Sequence, residues 1–342
     1  MGALVGAPPR ASSVSEAELV RAADEGLSGP RGLTENHNTF ARRHALAEIA
    51  GEFAQGASVT QLERATSSYL RDRSVVPLGR VAGEHRFTTR DLLAREQAIV
   101  NGVERRVSER TAMLDPRVPD LMLADQEVSL CHEQLEAVRA LASDRRGVSV
   151  LRALAGTGKT RVLAALAQVY AGAGYQVIGV APTPRTAREL GDTAEVPART
   201  IQGLLFELSE MAGLVGRTVL LFDEAASTPT RPSAELLAQA ERAGAKVIAA
   251  GDPGQLQSVA AGGWFAAIAN RLDRLKLREV MRQRDSSERD GLELVHDGDP
   301  IPYIELKRRQ GAMAVHEHER RAVAAASMIG TGHGVCTAFL RR

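Results

Sequence analysis

Four short apolar runs, Val148–Leu154, Val177–Val180, Val219–Phe222 and Val247–Ala250, recur between helical patterns near 131–142, 160–172, 184–191 and 233–243. A strand that alternates apolar and polar residues buries one face, whereas a run apolar at nearly every position buries both. Strands of the second kind, separated by helices, predict an α/β fold with a parallel sheet covered on both sides. In open sheets of this kind ligands bind outside the carboxyl ends of the strands. The segments that follow the runs are therefore where chemistry is expected.

The first of them reads Ala153-Leu-Ala-Gly-Thr-Gly-Lys-Thr160 and opens an apolar helix. Backbone N–H groups of a tight turn, here around Gly156, Thr157 and Gly158, can surround phosphate oxygens at the positive end of a helix. Glycines permit a close approach that a Cβ would hinder. Lys159 would reach the outer phosphates and Thr160 would offer its hydroxyl to Mg²⁺. The consensus glycine five places before Gly158 is replaced by Ala153. Taken alone, the stretch also fits an ordinary strand-to-helix turn.

The third run, Val219-Leu-Leu-Phe-Asp-Glu224, delivers two adjacent acids at its carboxyl end. Asp223 suits the shell of Mg²⁺, and Glu224 suits the orientation and deprotonation of an attacking water, as phosphoryl transfer requires. Two solvated loop acids are the plainer reading, made unattractive by a phosphate loop one parallel-sheet unit upstream. The fourth run ends in Gly251-Asp-Pro-Gly-Gln-Leu256, where Gln255 could sense the terminal phosphate or the attacking water. That stretch is also a good turn sequence in itself.

Around this core the chain divides into four expected parts. Residues 1–33, rich in Gly, Pro, Ser and Ala, form a loosely held leading segment. Residues 34–124 form a small mixed domain: two amphipathic helices over Asn38–Phe53 and Val59–Leu70, short strands at Val75–Leu78 and His85–Thr89, and a helix through about Arg105. Thr88 with Asp91 reads as the capping box of that last helix. A loop with Pro116 and Pro119 leads into the P-loop domain, 125–284, and residues 285–342 continue as a charged helical extension.

Lys and Arg total 43 against 42 for Asp and Glu, a formal charge of +1, so any polyanion must be met by a local patch. The two cysteines, Cys131 and Cys336, form no metal-ligand spacing and fit a reducing compartment. No apolar run approaches the roughly 20 residues that span a bilayer. These features predict a cytoplasmic chain without membrane insertion.

Seven stretches occur in order: Gln134 within LCHEQLEAV, AGTGKT at 155–160, APTPRTAREL at 181–190, ARTIQGLL at 198–205, LLFDEAAS at 220–227, GDPGQL at 251–256 and LREVMRQRD at 277–285. The series resembles the RecD-like branch of superfamily 1 helicases, and in particular the helicase portion of conjugative relaxase-helicases of the TraI/TrwC type. The resemblance covers nearly all of residues 30–320 and implies a RecA-like sheet, ATP and Mg²⁺ as cofactors, and single-stranded plasmid DNA as partner. It implies that Gln134 reads the adenine edge, Lys159 and Thr160 hold phosphate and Mg²⁺, and Asp223 and Glu224 carry metal and base. It further implies that Gln255 couples nucleotide state to DNA and that Arg282 touches the γ-phosphate, a role suited to a guanidinium. DNA would run across Pro182, Thr183, Arg185, Thr200 and Gln202, where backbone and hydroxyl groups grip phosphates without reading sequence.

Trp264 has two readings, a base-stacking platform or a packing residue between helix and sheet, and packing is the preferred one. His316-Glu-His318 reads as a solvated helix face rather than a metal site. The family's fifth and sixth motifs, which belong to a second RecA-like domain, are not found after Arg284. The expectation is an incomplete motor needing a second RecA-like domain, or a separately encoded half, and other conjugation proteins. The competing expectation, from a different class, is a non-catalytic nucleotide-binding module that interacts with DNA without steady turnover. A small-molecule kinase or an ABC-type ATPase shares the cradle but explains neither GDPGQL nor LREVMRQ.

Overall fold

The computed structural model describes residues 27–29, 32–35, 38–52, 57–81, 83–124, 130–154, 156–210, 213–252, 263–272, 275–277 and 301–309. They fall into two compact units, one drawn from residues 1–153 and 159–277, the other from 154–158 and 278–342. Gln255, Arg282, His316 and His318 lie outside the described residues.

The first unit contains a six-stranded parallel sheet built from β4 (Val148–Ala153), β5 (Gln176–Ala181), β6 (Ala198–Thr200), β7 (Thr218–Phe222), β8 (Lys246–Gly251) and β9 (Lys276–Leu277). Its spatial order is β6-β5-β7-β8-β4-β9. Successive residues of each central strand enter different cores. Leu220 and Phe222 pack with Val148, Val150, Val247 and Ala249 on one face. Val219 and Leu221 pack with Leu151, Ala153, Ile248 and Ala250 on the other. Two buried faces favour apolar side chains at nearly every position, which is why these strands read as apolar runs; the buried polar exceptions, Ser149, Thr218 and Lys246, stand at or near the strand starts.

Helices α5 (His132–Ser143), α6 (Lys159–Gly172) and α7 (Pro184–Ala194) supply the second face through residues such as Leu141, Leu166 and Leu190. The first face is covered by α8 (Ile201–Glu210), α9 (Thr230–Ala243) and α10 (Gly263–Leu272), through residues such as Leu204, Leu236 and Ile268. This is the P-loop, RecA-like α/β architecture that the sequence predicts.

A small antiparallel sheet, β1 (Phe40–Ala41) with β3 (Glu84–Thr89) and β2 (Val75–Val81), has its own core with α1 (Arg42–Gly51) and α2 (Val59–Tyr69). Leu27 and Leu33, near the end of the leading segment, are buried in that core. Helix α3 (Arg90–Arg105) crosses the division expected near residue 124, because Ile99, Val100 and Val103 pack into the main core beside Val148 and Leu237. The prolines after it do not make a plain loop; Pro119 lies in the first turn of the short helix α4 (Val118–Leu123). There its missing N–H costs nothing.

The cap of α3 also differs from expectation. Thr89, not Thr88, accepts the Leu92 N–H on its hydroxyl at 3.3 Å, while the Thr88 hydroxyl donates to the Asn38 carbonyl at 2.7 Å. In the second unit the described residues are Leu154, 156–158 and the helix α11 (Ile301–Arg309), where Lys307 Nζ stands 5.5 Å from the Tyr303 ring centroid.

Candidate nucleotide site

The loop between β4 and α6 has the backbone that phosphate cradles need. Gly156 and Gly158 adopt φ of 83° and 77°, a region a side chain enters only with strain. Thr157 braces the turn, donating its N–H and its hydroxyl to the Leu154 carbonyl at 3.3 and 2.8 Å. Lys159 follows as the first residue of α6, with Thr160 next on the same helical turn. The positive-φ backbone of Gly156 and Gly158 is what fits this turn to a nucleotide phosphate.

Strands β4 and β7 are not neighbours; β8 lies between them, paired with β4 on one side and β7 on the other. Simple counting of units along the chain does not anticipate this interleaving. Yet Lys159 Nζ and Asp223 Oδ1 meet at 2.9 Å, with side-chain exposures of 17% and 8%. The contact brings the start of α6 and the carboxyl end of β7 to one point. Asp223 is anchored by its N–H to the Val180 carbonyl at 2.8 Å, and its Oδ1 also accepts the Glu224 N–H at 2.8 Å.

Glu224 has φ 50°, in the left-handed region, and so ends the strand abruptly before the 3₁₀ turn Ala225–Ser227. A non-glycine residue held there costs of order 1–3 kcal/mol and persists only when its surroundings over-determine it. Here the Ser227 N–H donates to the Glu224 carbonyl at 2.9 Å. Among the described residues no group of three His, Cys, Asp or Glu side chains could hold a metal ion. One carboxylate and one hydroxyl suit Mg²⁺ bound jointly with phosphates, which keeps part of its shell outside the protein.

Gln134 is fully buried at the start of α5, its Oε1 accepting the Cys131 N–H at 3.1 Å, and therefore secures that helix end. Pro182, Thr183, Arg185, Thr200 and Gln202 come together where paired strands β5 and β6 end, Ala181 lying opposite Thr200. Both following helices are capped by threonine: Thr183 accepts the Thr186 N–H at 3.2 Å and Thr200 the Gly203 N–H at 3.0 Å. Thr183, Arg185 and Gln202 are exposed, and a groove of about 540 Å³ flanked by Arg188 and Arg199 lies beside them. Arg185 is engaged by Glu189 at 2.8 Å on the surface of α7.

Trp264 is not part of that surface. It is fully buried, its ring 6.0 Å from that of Phe222 in a stacked arrangement and its Nε1 donating to the Thr228 carbonyl at 3.3 Å. No base can reach a ring whose faces are covered by the core, so the DNA-stacking reading of Trp264 is withdrawn in favour of packing. Sequence reasoning missed Thr228, Thr230 and Arg231, buried polar residues just beyond the acids. Their signal was present in STPTR, a polar stretch between an apolar strand and an amphipathic helix.

A family model described as an AAA domain matches residues 129–320, more than half of the chain. The chain belongs to the AAA domain family. Among relatives, a probable conjugal transfer protein TraA of Sinorhizobium fredii is 32% identical over 195 residues, 57% of this chain and 18% of the relative. The ATP-dependent RecD2 DNA helicase of Deinococcus radiodurans is 32% identical over 160 residues, 45% of this chain and 22% of the relative. The multifunctional conjugation protein TraI of Escherichia coli is 24% identical over 264 residues, 73% and 15% respectively. This AAA domain thus falls with the RecD-like superfamily 1 helicases, close to conjugative relaxases. The chain spans less than a quarter of the length of these curated relatives. No helix among the described residues is long and apolar enough to cross a membrane.

Proposed function

We propose that the chain is an ATP-dependent DNA helicase or translocase motor module of a conjugative relaxase-like protein, binding ATP-Mg and single-stranded plasmid DNA in the cytoplasm. The observation that carries this reading is the 2.9 Å contact between Lys159 and Asp223. It joins Lys159, the first residue of α6, to the acid at the end of β7, a strand not adjacent to the one that precedes α6. Lys159 neutralises Asp223 until phosphate oxygens compete for its ammonium group, and Asp223 is then available to Mg²⁺ together with Thr160. Thr160 and Asp223 would hold Mg²⁺, which would supply positive charge to offset the negative charge that develops in phosphoryl transfer. Glu224, fixed beside Asp223 by its own N–H, orients and deprotonates water. By the family resemblance Gln134 would read the adenine edge, which requires the start of α5 to open, because its side chain is buried with its oxygen held by the Cys131 N–H. Gln255 and Arg282 would sense the γ-phosphate.

Single-stranded DNA would cross the ends of β5 and β6, where Thr183, Arg185, Thr200 and Gln202 offer sequence-independent contacts to phosphates. A second RecA-like domain, in the same or another polypeptide, would supply a further arginine, a contribution of roughly 10³ to 10⁵ in related systems. The test is ATP turnover with and without single-stranded DNA, beside Lys159→Ala. DNA-stimulated hydrolysis that falls about a hundredfold or more in the variant is the expected result. Nucleotide binding without turnover, even with DNA, would favour the non-catalytic module, and loss of binding as well would overturn both.

A further inference from the structure

Directly after the catalytic acids the chain runs Ala225-Ala226-Ser227-Thr228-Pro229-Thr230-Arg231 into α9. Three of these residues are polar and hidden: Thr228 and Thr230 are 0% and 1% exposed, and the Arg231 side chain 12%. Buried polar groups need partners, and those of Thr230 and Arg231 come from the amino-terminal subdomain. The Thr230 hydroxyl lies 3.3 Å from Asn38 Oδ1 and 3.4 Å from Glu96 Oε1, within reach to donate to either. Arg231 pairs with the Asp91 carboxylate, and its Nη2 donates to the Thr34 hydroxyl at 3.1 Å. Thr34 in turn bonds the hydroxyl of Thr89, the cap of α3, at 3.0 Å.

The same acid reaches a second place. A Cβ on Gly263, the first residue of α10, would fall 3.2 Å from Glu96 Oε1 and 3.5 Å from Asn38 Nδ2. The next residue, Trp264, holds the Thr228 carbonyl. Glu96 thus lies against both Thr230 and the start of α10, whose Trp264 holds the Thr228 carbonyl. Burial raises the Glu96 carboxyl above its ordinary range, against the opposing effect of the Thr230 hydroxyl. Burial also works against the Asp91 carboxylate, but hydrogen bonds from Arg231 and Arg95 outweigh it and hold its pKa below the usual value.

Few bonds separate these contacts from Glu224. The Thr228 N–H and hydroxyl both donate to the Ala225 carbonyl, at 3.2 and 2.6 Å, and the Ser233 hydroxyl donates to that of Thr228 at 3.1 Å. A displacement at Arg231 is therefore passed to the turn that carries the acids. We propose that Asp91 and Glu96, with Thr34 and Asn38, are positioning residues through which the amino-terminal subdomain braces the Asp223–Glu224 turn by gripping Thr230 and Arg231. The inference rests on the ATP-hydrolysis reading for its kinetic consequence, though not for its structural one.

The test uses the full chain with Asp91→Ala, Asp91→Asn, Arg231→Ala, Glu96→Gln and the double variant Asp91→Ala/Arg231→Ala. The control is Arg105→Ala, which breaks the Arg105–Glu241 bridge at the far end of the same α3–α9 pair, 2.9 Å in the native protein. Asp91→Ala and Arg231→Ala should each lower kcat by about ten- to a hundredfold, with KM for ATP within about twofold, because misplacement acts on the chemical step. Asp91→Asn and Glu96→Gln, which keep the shape of the acid, should lie between wild type and these. The double variant should lose no more than either single one, the signature of a shared interaction. Arg105→Ala should leave kcat unchanged. Additive losses, an unchanged kcat in Asp91→Ala, or an equal loss in Arg105→Ala would overturn the proposal. Hydrogen exchange at the amides of residues 224–232 gives a readout that needs no turnover. Asp91→Ala should speed it and Arg105→Ala should not. Should the wild type hydrolyse no ATP, the motor reading fails, while unaltered exchange in Asp91→Ala would sink the brace itself.

Discussion

Gly251, at the end of β8, stands so close to Ala226 that a Cβ on it would fall 3.0 Å from the Ala226 backbone nitrogen. It would also lie 3.1 Å from Phe265 Cζ. The glycine of GDPGQL is therefore required by the turn behind the acids, on the adjacent strand. Gly251→Ala should cost about 1–3 kcal/mol, the range for overpacking a filled site. Urea unfolding reads the loss, and ATP turnover should fall further than stability alone explains. Wild-type stability and turnover would show that the turn can yield.

Lys159 and Asp223 neutralise each other in a largely buried place, and removing one partner strands the other. Asp223→Ala is expected to destabilise the protein by about 2 kcal/mol, less than a fully buried pair because part of Lys159 stays in water. Lys159→Ala/Asp223→Ala should be more stable than the sum of the single losses allows. A double-mutant cycle by denaturant titration checks the coupling, and zero coupling would mean that the contact contributes nothing to the fold.

Trp264 fills the space between Phe222 and α10, so Trp264→Ala should cost about 3–5 kcal/mol, as do other large aromatic truncations. Trp264→Phe keeps most of the packing while losing the bond to the Thr228 carbonyl. Its affinity for single-stranded DNA should match the wild type within about twofold; a base-stacking contact would instead be worth on the order of 1–3 kcal/mol. Fluorescence anisotropy of a labelled oligonucleotide separates the two.

Lys246 begins β8 at the opposite end of the strand and is completely buried, its ammonium donating to the carbonyls of Asp144 at 2.5 Å and Arg146 at 3.0 Å. Burial pushes its pKa down to about 8, with Asp144 opposing and Arg106 and Arg146 reinforcing the shift. The unfolded chain then binds more protons than the folded one between about pH 8 and the ordinary lysine value. Stability should therefore rise with pH across that window, by up to roughly 3 kcal/mol from this group. The slope should be absent from Lys246→Met, compared by denaturant titration at pH 8 and 10. Parallel profiles for the two proteins would show that Lys246 stays charged throughout.

The central strands were legible because burial on two faces leaves a direct compositional trace, and β4, β5, β7 and β8 lie where the apolar runs are. Strands β6 and β9 were not, since three and two residues carry no period. They exist because β5 and β4 offer open hydrogen-bonding edges to Ala198–Thr200 and Lys276–Leu277. The choice of Thr89 over Thr88 as a cap was equally hidden. Both are buried threonines before the same helix, and only the position of Asn38 assigns their hydroxyls.

Residue order by itself determined the parallel sheet, the glycine cradle with its lysine, and the acids at a strand end, because each depends on neighbours within a few positions along the chain. Only the tertiary structure decided that Lys159 reaches Asp223 past an intervening strand, that Trp264 is sealed in the core, and that Asp91 and Glu96 hold the segment behind the acids. Those relations join residues up to 140 positions apart, and their sign depends on burial and on which polar groups remain for pairing once the backbone has packed.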